Sequence, residues 1–230
     1  MILKLHALSQ LAGPNDDDYR GLVPKRMLYM HPEAAHALML VEEDTGGLVH
    51  TDIFRSAVSS RDAYRSKVTS SGQHITQPVS YSGHGYGFCD DLDVPRTLKK
   101  LGTDYGGLTV IMAARGFFCH RRDGNPTASE SWHFNYLGED ADALLELTTA
   151  DHTTWARPVE ALIQKYYGAD LRPNDEQAAI MLSVAHATDV KDFQRKWDLV
   201  VDGILGPKTR RVLAYVTATL QIETDPPVVG

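Results

Sequence analysis

The sequence predicts an α+β fold divided into two domains. Segments with the patterns of strands and of helices alternate as far as about residue 138, and only helix-like segments follow. A chain of 230 residues is long enough for a medium-sized domain and a small one. We therefore predict a mixed domain over residues 1–145 and an all-helical domain over residues 146–230, with the boundary between residues 138 and 157.

The composition is that of an ordinary globular protein, and we expect neither nucleic acid nor a membrane as its partner. Hydrophobic residues make up 43% of the chain and charged residues 23%, so a sizeable core can form. The net charge of −7 disfavours a basic stripe for nucleic acid. The longest apolar run is far shorter than the roughly 20 residues of a membrane helix. The N-terminus lacks the pattern of a signal peptide, so we expect synthesis in the cytoplasm, and we expect a monomer.

The first 138 residues contain three predicted strands and four predicted helices. Pro32 near the first turn and Gly46 past the end mark the first helix, and Gly116 stops the last. The strands are rich in β-branched and aromatic residues or alternate in polarity, and a turn is expected at residues 123–126. The predicted helices cover residues 31–44, 59–70 and, on either side of a glycine break, 94–116; the strands cover residues 47–56, 88–94 and 131–136.

The last strand carries one histidine on a chemically distinct face. Alternation places Trp132, Phe134 and Tyr136 on one side, suited to a core, and Ser131, His133 and Asn135 on the other. Glu130 precedes His133 by three residues, so it must be aimed from the loop end of the strand.

A second histidine lies among glycines just before a row of aspartates. Glycines at positions 83, 85 and 87 let the backbone around His84 bend tightly. Asp91 and Asp93 share one face of the following strand and Asp90 faces the other way, so parity leaves Asp91 and Asp93 as alternatives. Two histidines, one carboxylate and an open fourth position are the composition of a catalytic zinc site, and imidazoles favour Zn²⁺ over magnesium or calcium. Glu130 is placed to act as the base.

The sequence S-G-H-G-Y-G-F-C-D-D at residues 82–91, followed by E-S-W-H at residues 130–133, resembles a known peptidase family. It is similar to the zinc D-Ala-D-Ala carboxypeptidases and L-alanyl-D-glutamate peptidases of family M15, over about residues 30–138. The resemblance implies a small antiparallel sheet with flanking helices. It also implies that His84, Asp91 and His133 bind zinc, and it selects Asp91 over Asp93. Glu130 would then be the general base.

The same resemblance implies a substrate-binding arginine. Phe54-Arg55-Ser56 matches a segment that carries an arginine ahead of the first ligand, so Arg55 would hold the scissile carbonyl or a carboxylate, and its planar fork suits that task. Ser82, at the start of the motif, is the other expected substrate contact. The chain departs from the family where Cys89 replaces the usual alanine, and the stretch of residues 117–129 is longer than in compact members.

Two cysteines are too few for a disulfide framework or a cysteine-based zinc knuckle. We expect Cys89 and Cys119 to be small buried thiols, with a disulfide between them as the alternative.

The C-terminal part resembles the three-helix peptidoglycan-binding domain of many wall hydrolases. Helices are predicted at residues 139–150, 157–168, 173–187, 190–197 and 207–220. From helical periodicity alone this would be a small bundle. The resemblance rests on a motif that spans residues 189–213, comprising Phe193, Gln194, Asp202, Gly203, Ile204, Gly206 and Thr209.

Together the two resemblances imply a zinc peptidase that cleaves the stem peptide of bacterial peptidoglycan. Without an export signal, release by another route is expected, as for a phage endolysin with L-alanyl-D-glutamate endopeptidase activity. The alternatives are a bacterial D-Ala-D-Ala carboxypeptidase, a catalytically dead wall-binding protein and a metal-holding signalling domain of the same fold. The intact Glu130 opposes the second of these, and the wall-binding motif opposes the third.

Overall fold

The computed structural model describes residues 3, 5–8, 11, 28–68, 70, 72, 78–119, 130–147 and 156–224. These residues form an α+β structure, as predicted, with helices and two small antiparallel sheets. The strands are β1 His6–Ala7, β2 Tyr29–Met30, β3 His50–Asp52, β4 Cys89–Leu92, β5 Phe117–Cys119 and β6 His133–Tyr136. The helices are α1 Pro32–Thr45, α2 Ala57–Ser66, α3 Val94–Leu101, α4 Tyr105–Ala113, α5 Ala141–Leu145, α6 Ala156–Tyr167, α7 Asp175–Val184, α8 Val190–Lys196 and α9 Pro207–Thr224.

The chain divides into two compact units. The sheet unit is made of Lys4–Phe54 and Tyr86–Leu162, and the helical unit of Arg55–Gly85 and Ile163–Pro226. The predicted domain boundary between residues 145 and 146 stays a prediction. The compact division differs from it because residues 55–85 group with the C-terminal helices.

The sheet unit is built on a four-stranded antiparallel sheet in the order β3-β4-β6-β5. In its centre, Cys89 lies opposite Asn135 and Asp91 opposite His133, whereas Asp90 lies opposite Phe134. Since successive side chains point to opposite faces, one face carries Cys89, Asp91, His133 and Asn135. The other face carries Phe134 and Asp90, both fully buried. The two faces of the sheet therefore carry different sets of side chains, and Asp91 and His133 share one of them.

The helices of the sheet unit begin and end at the residues that the sequence marks. Helix α1 starts with Pro32 and ends at Gly46, whose φ of 69° is left-handed. Helix α3 starts after Asp93, whose side chain accepts a hydrogen bond from the Arg96 amide, and it ends at Gly102. Helix α1 packs against β1 and β2, and α4 packs against β5.

Polar contacts join distant parts of the sequence within the helical unit. The Arg65 guanidinium of α2 donates two hydrogen bonds to the Asp198 carboxylate, at 2.7 and 2.9 Å. Arg61 of α2 lies over the Trp197 ring, 4.8 Å from its centroid. Helices α2 and α7 both pack against α9. These contacts explain why residues 55–85 belong with the C-terminal helices.

Two local predictions were wrong. The strand expected over residues 47–56 is limited to His50–Asp52, because the pairing with β4 is irregular and the Ser56 side chain caps α2. Trp132 is 39% exposed and does not join the core, because the chain turns from Glu130 to His133 before β6 begins.

The predicted thiol state of the cysteines is confirmed: both are buried and not joined in a disulfide. The turn expected at residues 123–126 lies outside the described residues. Within the described part of the chain, no helix combines the length and the apolar character needed to cross a membrane.

Candidate metal centre

The ligand-rich face of β4 and β6 brings two predicted metal ligands into direct contact. His133 Nδ1 lies 2.6 Å from Asp91 Oδ1, across a directly opposed cross-strand pair. The carboxylate accepts, so the Nδ1 hydrogen donates and Nε2 is the ring nitrogen left for another partner. Asp91 is buried and His133 is partly buried. The fold therefore places these two predicted zinc ligands side by side.

Cys89 and Asn135 extend the same face by one further cross-strand pair. The Cys89 thiol donates to Asn135 Oδ1 at 3.2 Å, and His133 Nε2 lies 3.2 Å from the same oxygen. Asn135 is 1% exposed. Its amide nitrogen has no hydrogen-bond partner among the described residues. A buried donor of this kind costs free energy unless a ligand or water satisfies it.

The charge state of His133 reflects these neighbours. Burial favours the neutral ring and lowers the pKa, but the adjacent Cys89 and Asp91 side chains outweigh it. The pKa of His133 is therefore raised well above its ordinary value. The carboxylate and the thiol on either side of the imidazole therefore favour its protonated, positively charged form.

His84 lies in a 3-10 helix, Gly83–Tyr86, that leads into β4. The side chain is buried, at 2% exposure. The helix is closed by the Gly85 amide, which donates to the Ser82 carbonyl at 3.1 Å. The Arg55 amide donates to the His84 carbonyl at 3.3 Å, so the backbones of these two predicted site residues are joined. The division between the units falls inside this helix, after Gly85.

Helix α9 supports the segment around His84 and Arg55 within the helical unit. The Tyr215 hydroxyl donates to the Arg55 carbonyl at 2.8 Å. A Cβ at position 85 would overlap that hydroxyl, so only glycine fits at this position without a clash. The Arg211 guanidinium donates twice to the Ser80 carbonyl and lies over the Tyr81 ring. Two buried side chains of α9 thus fix the backbone that carries predicted site residues.

Among the described residues of the sheet unit, potential metal ligands lie close together. A ring nitrogen of His133 is within 4.8 Å of the Cys89 sulfur, and a carboxylate oxygen of Asp91 is within 4.8 Å of one of Asp52.

The donor set fits zinc. Imidazole, thiolate and carboxylate are all zinc ligands, and the thiolate disfavours magnesium and calcium. In a tetrahedral site two ligands at about 2.0 Å from the metal are about 3.3 Å apart. The 2.6 Å between Asp91 and His133 is shorter and is that of a hydrogen bond.

Glu130 occupies the turn before β6 in an uncommon backbone conformation. Its φ is 66°, in the left-handed region that residues other than glycine seldom adopt. Its carbonyl accepts a hydrogen bond from the His133 amide at 3.2 Å. The predicted approach of Glu130 from the loop end of the strand agrees with this turn. Strained backbone of this kind clusters at functional sites.

A buried ionic group lies on the opposite face of the sheet. His50 bridges two carboxylates, with Nδ1 2.8 Å from Asp90 and Nε2 2.9 Å from Glu42. Burial alone would lower the His50 pKa, but the two carboxylates raise it to about 9. Glu42 also accepts from the Leu48 amide at 2.6 Å. This group joins α1, β3 and β4 and so fixes the strand that carries Asp91.

The motif in the C-terminal helices is held together by one buried side chain. Gln194, 1% exposed, donates to Asp202, to the Ile204 carbonyl and to Thr209, and it accepts from the Gly203 amide at 2.8 Å. Every one of these partners belongs to the motif identified in the sequence. The motif therefore encodes the turn between α8 and α9.

The predicted site residues fall on both sides of the unit division. Asp91, Glu130 and His133 are in the sheet unit, and Arg55, Ser82 and His84 are in the helical unit. Cys89, Asp52 and Asn135 were not assigned to the site by the sequence. The signal for Cys89 was available, because it lies two residues before Asp91 and so shares its face.

Comparison with known proteins gives no further assignment: no family model matches the chain, and no curated protein matches it.

Proposed function

We propose that the chain is a zinc-dependent peptidase that cleaves the stem peptide of bacterial peptidoglycan. The activity proposed is that of an L-alanyl-D-glutamate endopeptidase of the phage endolysin type, acting on the wall after release from the cytoplasm. The observation that carries the proposal is the direct pairing of Asp91 with His133 on the ligand-rich face of β4 and β6. These two residues belong to the motif that resembles the zinc peptidases.

His84 and His133, with Asp91, are the side chains proposed to hold the zinc. When bound, the ion supplies Lewis acidity and lowers the pKa of a coordinated water to near neutrality.

Glu130 and Arg55 are proposed to carry the chemistry. Glu130 takes a proton from the attacking water and later delivers it to the leaving amine, as a general base and then a general acid. The Arg55 guanidinium stabilises the negative charge that develops on the scissile carbonyl oxygen. Ser82 is proposed to contact the substrate. The helical domain of residues 146–230, with its motif over residues 189–213, is proposed to hold the enzyme on the wall and so raise the local substrate concentration.

The test is mass spectrometry of purified peptidoglycan after digestion. The wild type is compared with Glu130→Ala and with Glu139→Ala, since Glu139 is an exposed glutamate outside the site. We expect new N-terminal D-glutamate with the wild type and Glu139→Ala, and none with Glu130→Ala. Release of D-alanine alone would indicate a carboxypeptidase instead. Wall binding without any product from the wild type would indicate a binding protein.

A further inference from the structure

Helix α9 carries a row of three buried polar side chains that bind backbone atoms of other segments. Arg211, Tyr215 and Thr219 are spaced by four residues, so they lie along one face of the helix. They are 8%, 1% and 1% exposed. The backbone atoms that they bind belong to residues 55–57 and 80, which lie with α9 in the helical unit. The sequence-based prediction gave this helix a role in wall binding and gave these three side chains none.

The row meets a segment that carries proposed site residues. The Tyr215 hydroxyl donates to the Arg55 carbonyl at 2.8 Å, and Thr219 Oγ1 accepts from the Ala57 amide at 3.2 Å. The Arg55 amide in turn donates to the His84 carbonyl at 3.3 Å. Tyr215 therefore lies where the backbones of Arg55 and His84 meet.

Arg211 binds the chain ahead of Ser82, at a point of uncommon backbone conformation. Ser80 has a φ of 70°, in the left-handed region that residues other than glycine seldom adopt. The Arg211 guanidinium donates two hydrogen bonds to the Ser80 carbonyl, at 3.0 and 2.7 Å, and lies 4.1 Å from the centroid of the Tyr81 ring. Strained backbone persists only where its surroundings determine it. The row thus fixes the chain on both sides of the loop that leads to His84.

We propose that α9 takes part in catalysis as well as in wall binding, with Tyr215 and Thr219 as positioning residues for Arg55 and His84. The inference rests on the proposed peptidase and adds a second task to the helix. Arg55 must hold its guanidinium where negative charge develops, and His84 must present its ring to the zinc. Because a displacement of about 1 Å can cost about 100-fold in rate, the backbone contacts of the row bear on the reaction.

Two threonines of α9 provide a matched pair for the test. Thr219 accepts from the amide of Ala57, the first residue of α2, where the helix itself supplies no acceptor. Thr217 is 5% exposed, and its hydroxyl donates to the Leu213 carbonyl of α9 at 2.8 Å. Valine has nearly the shape of threonine, so each Thr→Val substitution removes one buried hydroxyl from the same helix. The substitution at position 219 removes a contact to the segment of Arg55, and the one at position 217 removes a contact within α9.

The experiment measures kcat and KM of the full chain on soluble muropeptides, released from peptidoglycan by a muramidase, and its dissociation constant for zinc. Cleavage of soluble muropeptides does not require attachment to the wall, so it separates a catalytic task of α9 from wall binding. The wild type is compared with Tyr215→Phe, Thr219→Val and Thr217→Val. All are assayed at a temperature at which urea unfolding shows each variant to be folded.

We expect Tyr215→Phe and Thr219→Val to lower kcat by about 10- to 100-fold with KM unchanged, because Arg55 acts on charge that develops in the transition state. Tyr215→Phe should also weaken zinc binding by about 10-fold. Thr217→Val should match the wild type in both measurements. Wild-type kcat in Tyr215→Phe and Thr219→Val, or an equal fall in all three variants, would overturn the inference, because α9 would then only stabilise the fold.

The zinc measurement separates this inference from the proposed peptidase. A wild type that cleaves neither muropeptides nor peptidoglycan would contradict the peptidase, and the dissociation constants for zinc would then decide the inference. Weaker zinc binding in Tyr215→Phe than in Thr217→Val would support the positioning of His84 by α9. Equal zinc binding in these two variants would overturn it.

Discussion

Asp91 and His133 face each other across β4 and β6, with the carboxylate oxygen 2.6 Å from Nδ1. Because the carboxylate fixes the ring, we predict that Asp91→Asn weakens zinc binding by about 10- to 100-fold. Asp93→Asn is the control, since Asp93 caps α3 and asparagine caps equally well. The dissociation constants are measured by competition with a metal indicator. Equal affinities for the two variants would show that Asp91 does not act on the metal centre.

Glu130 has a left-handed φ of 66° and is the proposed general base. Substitutions at this position should therefore change stability and activity in different ways. Glycine adopts this conformation without strain and alanine does not, so Glu130→Gly should be more stable to urea than Glu130→Ala by about 1 kcal/mol. Both variants should lose peptidoglycan cleavage. Wild-type turnover in either variant would show that Glu130 is not the general base. Equal free energies of unfolding for the two variants would show that the backbone at position 130 is not strained.

Gly85 lies directly against the Tyr215 side chain within the helical unit. A double-mutant cycle tests whether this contact forms. Gly85→Ala would push against the Tyr215 ring and should lower the free energy of unfolding by more than about 2 kcal/mol. In a Tyr215→Ala background the space is open, so the same substitution should cost less than half as much. Urea unfolding measures both. Equal costs in the two backgrounds would mean that the contact does not form.

Gln194 supports the turn between α8 and α9 through both ends of its amide. Gln194→Ala should destabilise the chain by about 1–3 kcal/mol, because the Gly203 amide and Asp202 lose their partner. Gln194→Glu should be worse at neutral pH, since it places a carboxylate against Asp202. Pull-down with purified peptidoglycan should weaken in parallel with stability. If Gln194→Ala unfolds at the wild-type urea concentration, the motif is not held by this side chain.

The sequence predicted most helices well because their ends are marked by local chemistry. Pro32, Gly46, Asp93 and Gly102 act within their own turns, so the bounds of α1 and α3 follow from neighbours in the chain. The opposite faces of His133 and Phe134 follow from alternation alone. These features need no knowledge of distant contacts.

The features that were missed depend on distant contacts. The position of residues 55–85 is fixed by pairs such as Arg65 with Asp198 and Arg55 with Tyr215, which no local pattern reveals. The exposure of Trp132 depends on a turn that ends the strand alternation. Cys89 was predicted only to be a small buried thiol. Alternation could have placed it on the face of Asp91, but the register of β4 against β6 is needed to show that its sulfur lies beside Asn135.

The most direct test of the zinc peptidase is peptidoglycan digestion before and after removal of the metal. The protein is dialysed against a chelator, divided, and supplied with zinc or with magnesium, and N-terminal D-glutamate is then quantified by mass spectrometry. The account predicts no product from the metal-free and magnesium samples and full recovery with zinc. The same yield of N-terminal D-glutamate in all three samples would contradict it.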